Sequence, residues 1–216
     1  MSNDKLMTTV TEELSWDPKI DSSSIAVAAD DGTVTLRGTV GSFREKREAK
    51  KAAQRVYGVV EVKDELKVRL MTDDARSDAD LRGDVLQALM LDTLVPKTID
   101  AAVNDGEVAL EGTAEFKFQR DEEMDVAGNI RGVVYVWDEI AIVGPPPVAG
   151  DVKTAITKAF DRSAKLDADA LTVETSNGTV TVQGTVRSWA EHDEAIDAAW
   201  AAPGVRDVHD RILVLY

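Results

Sequence analysis

The residues of this chain that could do chemistry are few: two histidines, one recurring aspartate and one cluster of cations. His192 lies in an acidic stretch of a predicted helix with no second histidine one turn away. Metal ligation is therefore disfavoured there, and we expect a solvated helix residue. His209 alternates outward on a predicted strand, which favours an exposed position. Because the chain has no cysteine, thiol nucleophiles, thiolate metal sites and disulfides are excluded.

Asp64, Asp138 and Asp210 recur at equivalent positions of predicted strands. Each falls on the register of the apolar residues, where a carboxylate costs free energy unless it is hydrogen-bonded or paired. One interpretation is a ligand or cation site. The other is a structural role, in which the carboxylate accepts backbone N–H groups at a bulge or a helix end. Recurrence in every copy favours the structural interpretation.

A cluster of cations on one predicted helix is the second candidate. Arg47, Lys51 and Arg55 are spaced four residues apart and share one helix face. Such a face could hold anionic lipid headgroups or an acidic partner, including the acidic part of another copy. Glu45 and Glu48 weaken this interpretation, because they lie three or four residues from the basic side chains and can form ion pairs with them. We therefore favour an ordinary solvated helix face. The patch comprises Arg44, Arg47, Lys50, Lys51 and Arg55, with Lys46 on the same helix.

The net charge of −15 is spread unevenly along the chain. Residues 1–70 carry 12 Lys and Arg against 12 Asp and Glu, residues 71–143 carry 6 against 17, and residues 144–216 carry 7 against 11. The three parts therefore have net charges of 0, −11 and −4. Nucleic acids and anionic membranes are polyanions, so the acidic balance argues against whole-protein binding to either. We expect no nucleic-acid partner.

Catalytic motifs are missing from the sequence. No nucleophile elbow and no glycine-rich phosphate loop is present, and the hairpin glycines fall between strands, the wrong context for a phosphate cradle. A Ser-His-Asp arrangement brought together only by folding stays open. We predict a protein that is not an enzyme and that carries no cofactor or resident metal.

The helices and strands that position these residues are predicted from a sequence pattern that occurs three times along the chain. The stretch that begins at Gly32 returns at Gly106 and at Gly178, with offsets of 74 and 72 residues along the chain. Units of about 70 residues lie near the lower size at which a domain folds alone. The predicted domains are 1–70, 77–143 and 150–216. The linkers are 71–76 and 143–150, the second with three consecutive prolines, which favour an extended spacer.

Each unit shows the same local patterns. It opens with apolar residues four apart, as in Leu6, Val10 and Leu14, which indicate a short amphipathic helix. A strand, an Asp-Gly or Asn-Gly turn and an alternating strand follow, then an alanine-rich helix and a last strand. The sequence predicts an α+β fold of three tandem αββαβ two-layer sandwiches, each with a three-stranded sheet and two helices on one face. If the last strand pairs with the middle one, the crossover makes the two parallel.

Two sets of recurring glycines are expected to be structural. The first set supplies the hairpin turn, whose central residues need positive φ. The second set, in the returning strand, lets a helix approach the sheet closely or marks a bulge. The turn set is Gly32, Gly106 and Gly178, and the strand set is Gly38, Gly112 and Gly184.

The repeat resembles the BON domain family, named for bacterial OsmY and nodulation proteins. The resemblance rests on the hairpin turn, the G-x-V-x-L-x-G-x-V strand that begins at Gly32, the alanine-bearing helix, the Gly-Val that follows it, and the V-x-D-x-L-x-V strand that contains Asp64. It covers all three units. The second unit is the least regular, with Ala114 in place of valine and an acidic second helix.

The resemblance implies a non-enzymatic protein linked to osmotic or envelope stress, acting as a binding or interaction module. It also implies two more specific possibilities, potassium or small-ligand sensing and phospholipid binding. The basic helix is the candidate for anionic phospholipid, and from the charged surfaces we also expect a protein partner or self-association. The first seven residues lack the basic and apolar regions of a leader, and no membrane-length apolar run follows. From this we expect a cytoplasmic protein.

Overall fold

Each repeat of the computed structural model, which describes residues 1–71, 76–144 and 152–216, runs helix, strand, strand, helix, strand. The α+β prediction is confirmed. The three prolines at 145–147 lie outside the described residues. The elements of the first repeat are α1 (Asn3–Trp16), β1 (Ile25–Asp30), β2 (Thr33–Val40), α2 (Phe43–Gln54) and β3 (Glu61–Val68). Those of the second are α3 (Asp78–Leu91), β4 (Asp100–Asn104), β5 (Glu107–Ala114), α4 (Lys117–Gly128) and β6 (Tyr135–Ile142). Those of the third are α5 (Val152–Arg162), β7 (Leu171–Ser176), β8 (Thr179–Val186), α6 (Trp189–Trp200) and β9 (Asp207–Val214).

The described residues form two compact units. The first comprises Met1–Thr113 and Gln119–Ala141, and so holds the first repeat and most of the second. The second comprises Ala114–Phe118 and Ile142–Tyr216, and so holds the third repeat with a short piece of the second.

The sheet of each repeat has its middle strand at the centre, in the orders β1-β2-β3, β4-β5-β6 and β7-β8-β9. β1 and β2 are antiparallel and joined by a two-residue turn at Asp31 and Gly32, which have φ values of 49° and 84°. Asp-Gly suits this turn because both central residues need positive φ. β3 pairs with β2 in parallel, with Leu36 opposite Asp64. The last strand therefore does pair with the middle one.

The core of the first repeat lies between the two helices and one face of the sheet. Leu6, Val10 and Leu14 of α1 are buried, as the four-residue spacing predicts. Ala49 and Ala53 of α2 are fully buried, and their small side chains let the helix lie close to the strands. Burying a leucine side chain contributes ~2 kcal/mol, so this apolar layer accounts for much of the repeat's stability.

Local hydrogen bonds set the start of α2. The Ser42 hydroxyl accepts the N–H of Glu45 at 3.1 Å, and the Glu45 carboxylate accepts the N–H of Gly41 at 2.7 Å. The first bond satisfies a backbone donor that the first turn of α2 leaves open, and the second ties the residue before the cap to that turn. The cap therefore fixes the start of α2 at Phe43 and, with it, the helix positions of the basic residues that follow.

The close approach expected at Gly38 occurs, but an α-helix does not make it. A Cβ on Gly38, whose φ is 129°, would overlap the carbonyl oxygen of Ser24. Ser24 ends the short 3-10 turn that enters β1, and Ile25 pairs with Gly38. The carbonyl just before the strand is therefore directed at the glycine. Gly112 and Gly184 meet the equivalent carbonyls, those of Thr98 and Ala170.

Candidate functional site

The three recurring aspartates make the same backbone contact. Asp64 Oδ1 accepts the N–H of Leu66 at 3.0 Å, within its own strand. Asp138 and Asp210 accept the N–H two residues on, at 3.1 and 2.9 Å. Asp64 is half-buried, but Asp138 and Asp210 are exposed, so the expectation that all three lie among the apolar residues is wrong for two of them. This geometry supports the structural role, which stays a prediction.

The second oxygen of each aspartate faces a side chain on the second helix of its repeat. The three helix residues occupy equivalent positions, related by the same offsets as the rest of the repeat. These pairs were not predicted, although the sequences of the three repeats, aligned by those offsets, have a basic residue or histidine at this position each time. The pairs are Lys46 with Asp64 at 3.7 Å, Arg120 with Asp138 at 3.3 Å and His192 with Asp210 at 2.7 Å.

The prediction that His192 is a solvated helix residue is wrong. Its side chain is only 12% exposed, its Nε2 lies 2.7 Å from Asp210, and its ring packs edge-on against Trp189. Burial lowers the pKa of His192, but hydrogen bonds to Asp193 and Asp210 outweigh this, and the net direction is upward. The residue takes the place of the cation found in the other two repeats. His209, by contrast, is 57% exposed.

Replacing Asp64 with alanine is expected to lower the free energy of unfolding by ~1–3 kcal/mol, because the Leu66 N–H loses its acceptor and Lys46 loses its counter-charge. Urea unfolding followed by circular dichroism measures this. Glu65→Ala is the control, since Glu65 pairs with Arg37 on an exposed surface, where such a pair contributes less than ~1 kcal/mol. Unchanged stability together with a lost ligand would instead support a binding role for Asp64.

The cations of α2 do not form one common surface. Arg55 pairs within its own repeat, with its Nε and Nη2 2.9 Å from Glu13 and Asp17 respectively. Arg47 points into a contact with the second repeat. The remaining members of the predicted patch are exposed: Arg44, Lys50 and Lys51.

The first repeat docks on the second, within the first compact unit, through one face of α2. Arg47 forms an ion pair with Asp125 of α4, and its Nη1 donates to the Met124 carbonyl at 3.4 Å. The ring of Phe43, which is buried, lies 5.4 Å from that of Tyr135 at the start of β6. Arg47 is only 25% exposed, and burial lowers the pKa of its guanidinium. We call the face formed by Phe43 and Arg47 the docking face.

Its counterpart is formed by Met124, Asp125, Gly128 and Tyr135, and we call it the receiving face. A Cβ on Gly128 would lie 2.9 Å from Arg47 Nη1 and 3.0 Å from the Phe43 ring, so a larger residue there would push both side chains back from α4. This interface was not predicted from the sequence. The sequence features that correspond to it are an aromatic residue, Phe43, at the start of the basic helix α2 and a glycine, Gly128, within α4.

Glu123 of α4 is buried, with 0% of the residue exposed. Neither carboxylate oxygen has a hydrogen-bond partner among the residues that the structure describes. Burial and the nearby charge of Asp138 raise the pKa of Glu123 to about 7, against a smaller opposing effect of Arg120. The equivalent positions are Ala49 and Ala195, both fully buried. Aligning the three repeats therefore shows this site in the sequence, because a glutamate stands where the other two repeats have a core alanine.

Within the described ranges, no cluster of three or more acidic or histidine residues could hold a metal ion, and no helix is long and apolar enough to cross a membrane. An apolar recess of about 750 Å³ lies where α3 ends, between that helix and β4. Met90 and Leu91 at its rim are 77% and 70% exposed.

Comparison with known proteins gives relatives of two kinds. Two solved structures of CdsD, described as a structural protein of the type III secretion system of Chlamydia trachomatis, align over 98% and 100% of the chain. The two alignments include 92% and 100% of the CdsD chains, at 14% sequence identity in both cases and with TM-scores of 0.28 and 0.27. Osmotically-inducible protein Y of Escherichia coli (strain K12) is 32% identical over 126 residues, which is 56% of this chain and 63% of that protein.

The family comparison covers nearly the whole chain. The BON domain family matches residues 2–69, 77–144 and 149–216, one match for each repeat. The two features that recur in the structure, the glycine beside the first strand and the aspartate of the last strand, lie inside every match. The chain is therefore a member of the BON domain family, with three BON domains in tandem.

Proposed function

We propose that this protein is a non-enzymatic interaction module of the osmotic stress response, which works by docking BON domains onto other protein surfaces. The link to osmotic stress is supported by the similarity to the osmotically inducible protein of Escherichia coli. Because the match spans less than two thirds of that relative, the link is a proposal for this chain.

The observation that carries the docking function is the contact between the docking face and the receiving face. It joins a buried aromatic ring, an ion pair and a close approach at glycine, which are the components of a specific protein interface. One BON domain thus already serves as the binding surface of another. The acidic charge of the second domain, net −11 over residues 71–143, favours a partner with basic residues.

The experiment is complementation of a strain that lacks the gene, grown at high osmolarity. Arg47→Glu is expected to fail to restore growth, because it places two carboxylates against each other across the interface. The double variant Arg47→Glu with Asp125→Arg restores the opposite charges and is expected to restore growth. Arg44→Glu makes the same charge change at an exposed position and is the control. Equal growth with wild type and Arg47→Glu would contradict the proposal.

Anionic phospholipid binding is a narrower alternative, supported by the exposed Arg44, Lys50 and Lys51 on α2. Sedimentation with anionic vesicles at low and high salt tests it. Potassium sensing is the other alternative from the family resemblance, and a potassium-specific change in small-angle scattering would support it.

A further inference from the structure

We propose that the apolar recess at the end of α3 binds a segment of a partner protein in which a lysine lies beside large apolar residues. The lysine pairs with Glu122 of α4, and the apolar side chains fill the recess. The inference rests on the proposed docking function, and it names the chemistry of a partner for a second surface of the second domain.

The first step is an ion pair that the first and third domains share. Each has a lysine in the loop after its first helix, and this lysine pairs with a glutamate of the second helix. Lys19 Nζ lies 2.8 Å from Glu48 Oε2, and Lys165 Nζ lies 2.9 Å from Glu194 Oε2. Hydrogen bonding to these lysines lowers the pKa of both glutamates, so the glutamates are ionised at neutral pH. The pair ties the loop to the second helix in both domains.

The second step is that the second domain has the same turn without the lysine. Asp17 Oδ1 accepts the N–H of Lys19 at 3.1 Å. Asp92 Oδ1 accepts the N–H of Leu94 at 2.8 Å in the same way, so Leu94 takes the position of the lysine. Glu122 takes the position of the glutamate, by the offsets of 74 and 72 residues. Its side chain makes no hydrogen bond or ion pair with any residue that the structure describes. The second domain thus keeps the anion of the pair and lacks the cation.

The third step is the apolar surface around Leu94. Met90, Leu91 and Leu94 are 77%, 70% and 47% exposed, and the first two lie at the rim of the recess. Exposed apolar patches of this kind mark sites of interaction. The recess, of about 750 Å³, is within the range of roughly 300–1,000 Å³ that is typical of binding pockets. The other domains have polar residues at the positions of Met90 and Leu94: Ser15 and Lys19 in the first, Asp161 and Lys165 in the third. These two positions are therefore both apolar in the second domain alone.

The fourth step is charge complementarity, which selects a basic segment. The two charged residues that line the recess, Asp92 and Lys97, have opposite signs. The intact pairs of the other domains show that a cation at the loop position of Leu94 reaches the glutamate of the second helix. A partner's lysine therefore packs its carbon chain on Leu94 and places its ammonium at Glu122. The net charge of −11 over residues 71–143 attracts the same segment over longer distances.

The test is titration of the full chain, isotope-labelled at its methionine methyl groups, with short peptides whose ends are blocked. Lysine alternates with leucine in the first peptide, alanine replaces the leucine in the second, and glutamate replaces the lysine in the third. We expect the first peptide to bind and to shift the methyl signal of Met90, which is identified by its loss in Met90→Leu. The other two peptides are expected to bind at least about tenfold more weakly.

Three variants test the ion pair. Glu122→Gln is expected to weaken binding of the lysine–leucine peptide at least about threefold. Leu94→Lys supplies the lysine of the other two domains within the chain, so it is expected to occupy Glu122 and to weaken binding at least about tenfold. Glu122→Lys is expected to prefer the glutamate–leucine peptide instead. Glu139→Gln removes the same charge at an exposed position of β6 and is the control, with binding like that of wild type.

Equal binding of the lysine–alanine peptide overturns the proposal, because it would show general attraction to an acidic domain. Unchanged binding in both Glu122→Gln and Leu94→Lys, verified as folded by circular dichroism, overturns it as well. A Met90 shift on adding a fatty acid, with none on adding the first peptide, assigns the recess to lipid and also overturns it. None of these variants lies in the docking face or the receiving face, so failure here is distinguishable from failure of the proposed function.

Discussion

Replacing Glu123 with glutamine is expected to stabilise the first compact unit at about pH 8 by up to ~3 kcal/mol and to change it little at about pH 5. The buried carboxylate has a pKa of about 7 in the folded protein against 4.5 for an unperturbed glutamate. Glutamine has nearly the same shape and is neutral at every pH. The substitution therefore removes the cost of the charge without opening a cavity.

The direction with pH follows from the protons bound. Between pH 4.5 and about 7 the folded protein binds more protons at Glu123 than the unfolded chain does, so stability falls as the pH rises through this window. Above it the full cost of a buried carboxylate remains. The charged groups that face Glu123 are Asp138 of β6, which raises the pKa, and Arg120 of α4, which lowers it.

Urea unfolding of wild type and Glu123→Gln at the two pH values measures the effect, and other titrating groups cancel in the difference between the proteins. Trp137 is the single tryptophan of the second domain, so its fluorescence reports the affected region. Glu122→Gln, the same change at the neighbouring and less buried position, is the control. A constant difference between wild type and Glu123→Gln at both pH values would show that Glu123 does not titrate in this window.

The fold was predictable from the sequence because its determinants are local and written three times. The four-residue spacing of Leu6, Val10 and Leu14 and the turn at Asp31 and Gly32 each depend on a few neighbouring residues. The sequence predicted a parallel last strand only on the condition that this strand pairs with the middle one, and the strand order itself stayed open. The repeat also distinguished scaffold residues from the rest of the surface.

The candidate site was harder to predict because it depends on contacts between distant elements. The bond from His192 to Asp210 joins a helix to a strand, and the acidic neighbours of His192 suggested a solvated face. Glu123 was hidden in the same way, in a run of acidic residues of which only one is turned into the core. The contact between Phe43 and Tyr135 depends on how two domains are oriented, which no periodicity encodes.

Replacing Gly38 with alanine is expected to lower the free energy of unfolding by at least ~3 kcal/mol. A φ of 129° is strained for any residue with a Cβ, and the added Cβ would overlap the Ser24 carbonyl oxygen, which belongs to the backbone and has no flexible side chain to move. Relief requires β1 to shift away from β2. The strand pairing that Ile25 begins would be weakened with it.

Gly83→Ala is the matched control and is expected to have the opposite sign. Gly83 lies exposed in α3 with no atom within 4 Å of an added Cβ, so alanine should stabilise the helix by ~0.5–1 kcal/mol. Urea unfolding by circular dichroism compares the two, after refolding from urea if the Gly38 variant does not accumulate in soluble form. Hydrogen exchange then localises the change, with protection lost at β1 and β2 in Gly38→Ala alone. A Gly38→Ala protein as stable as wild type would mean that the first strand does not need the close approach, and that this glycine recurs in all three domains for some reason other than packing.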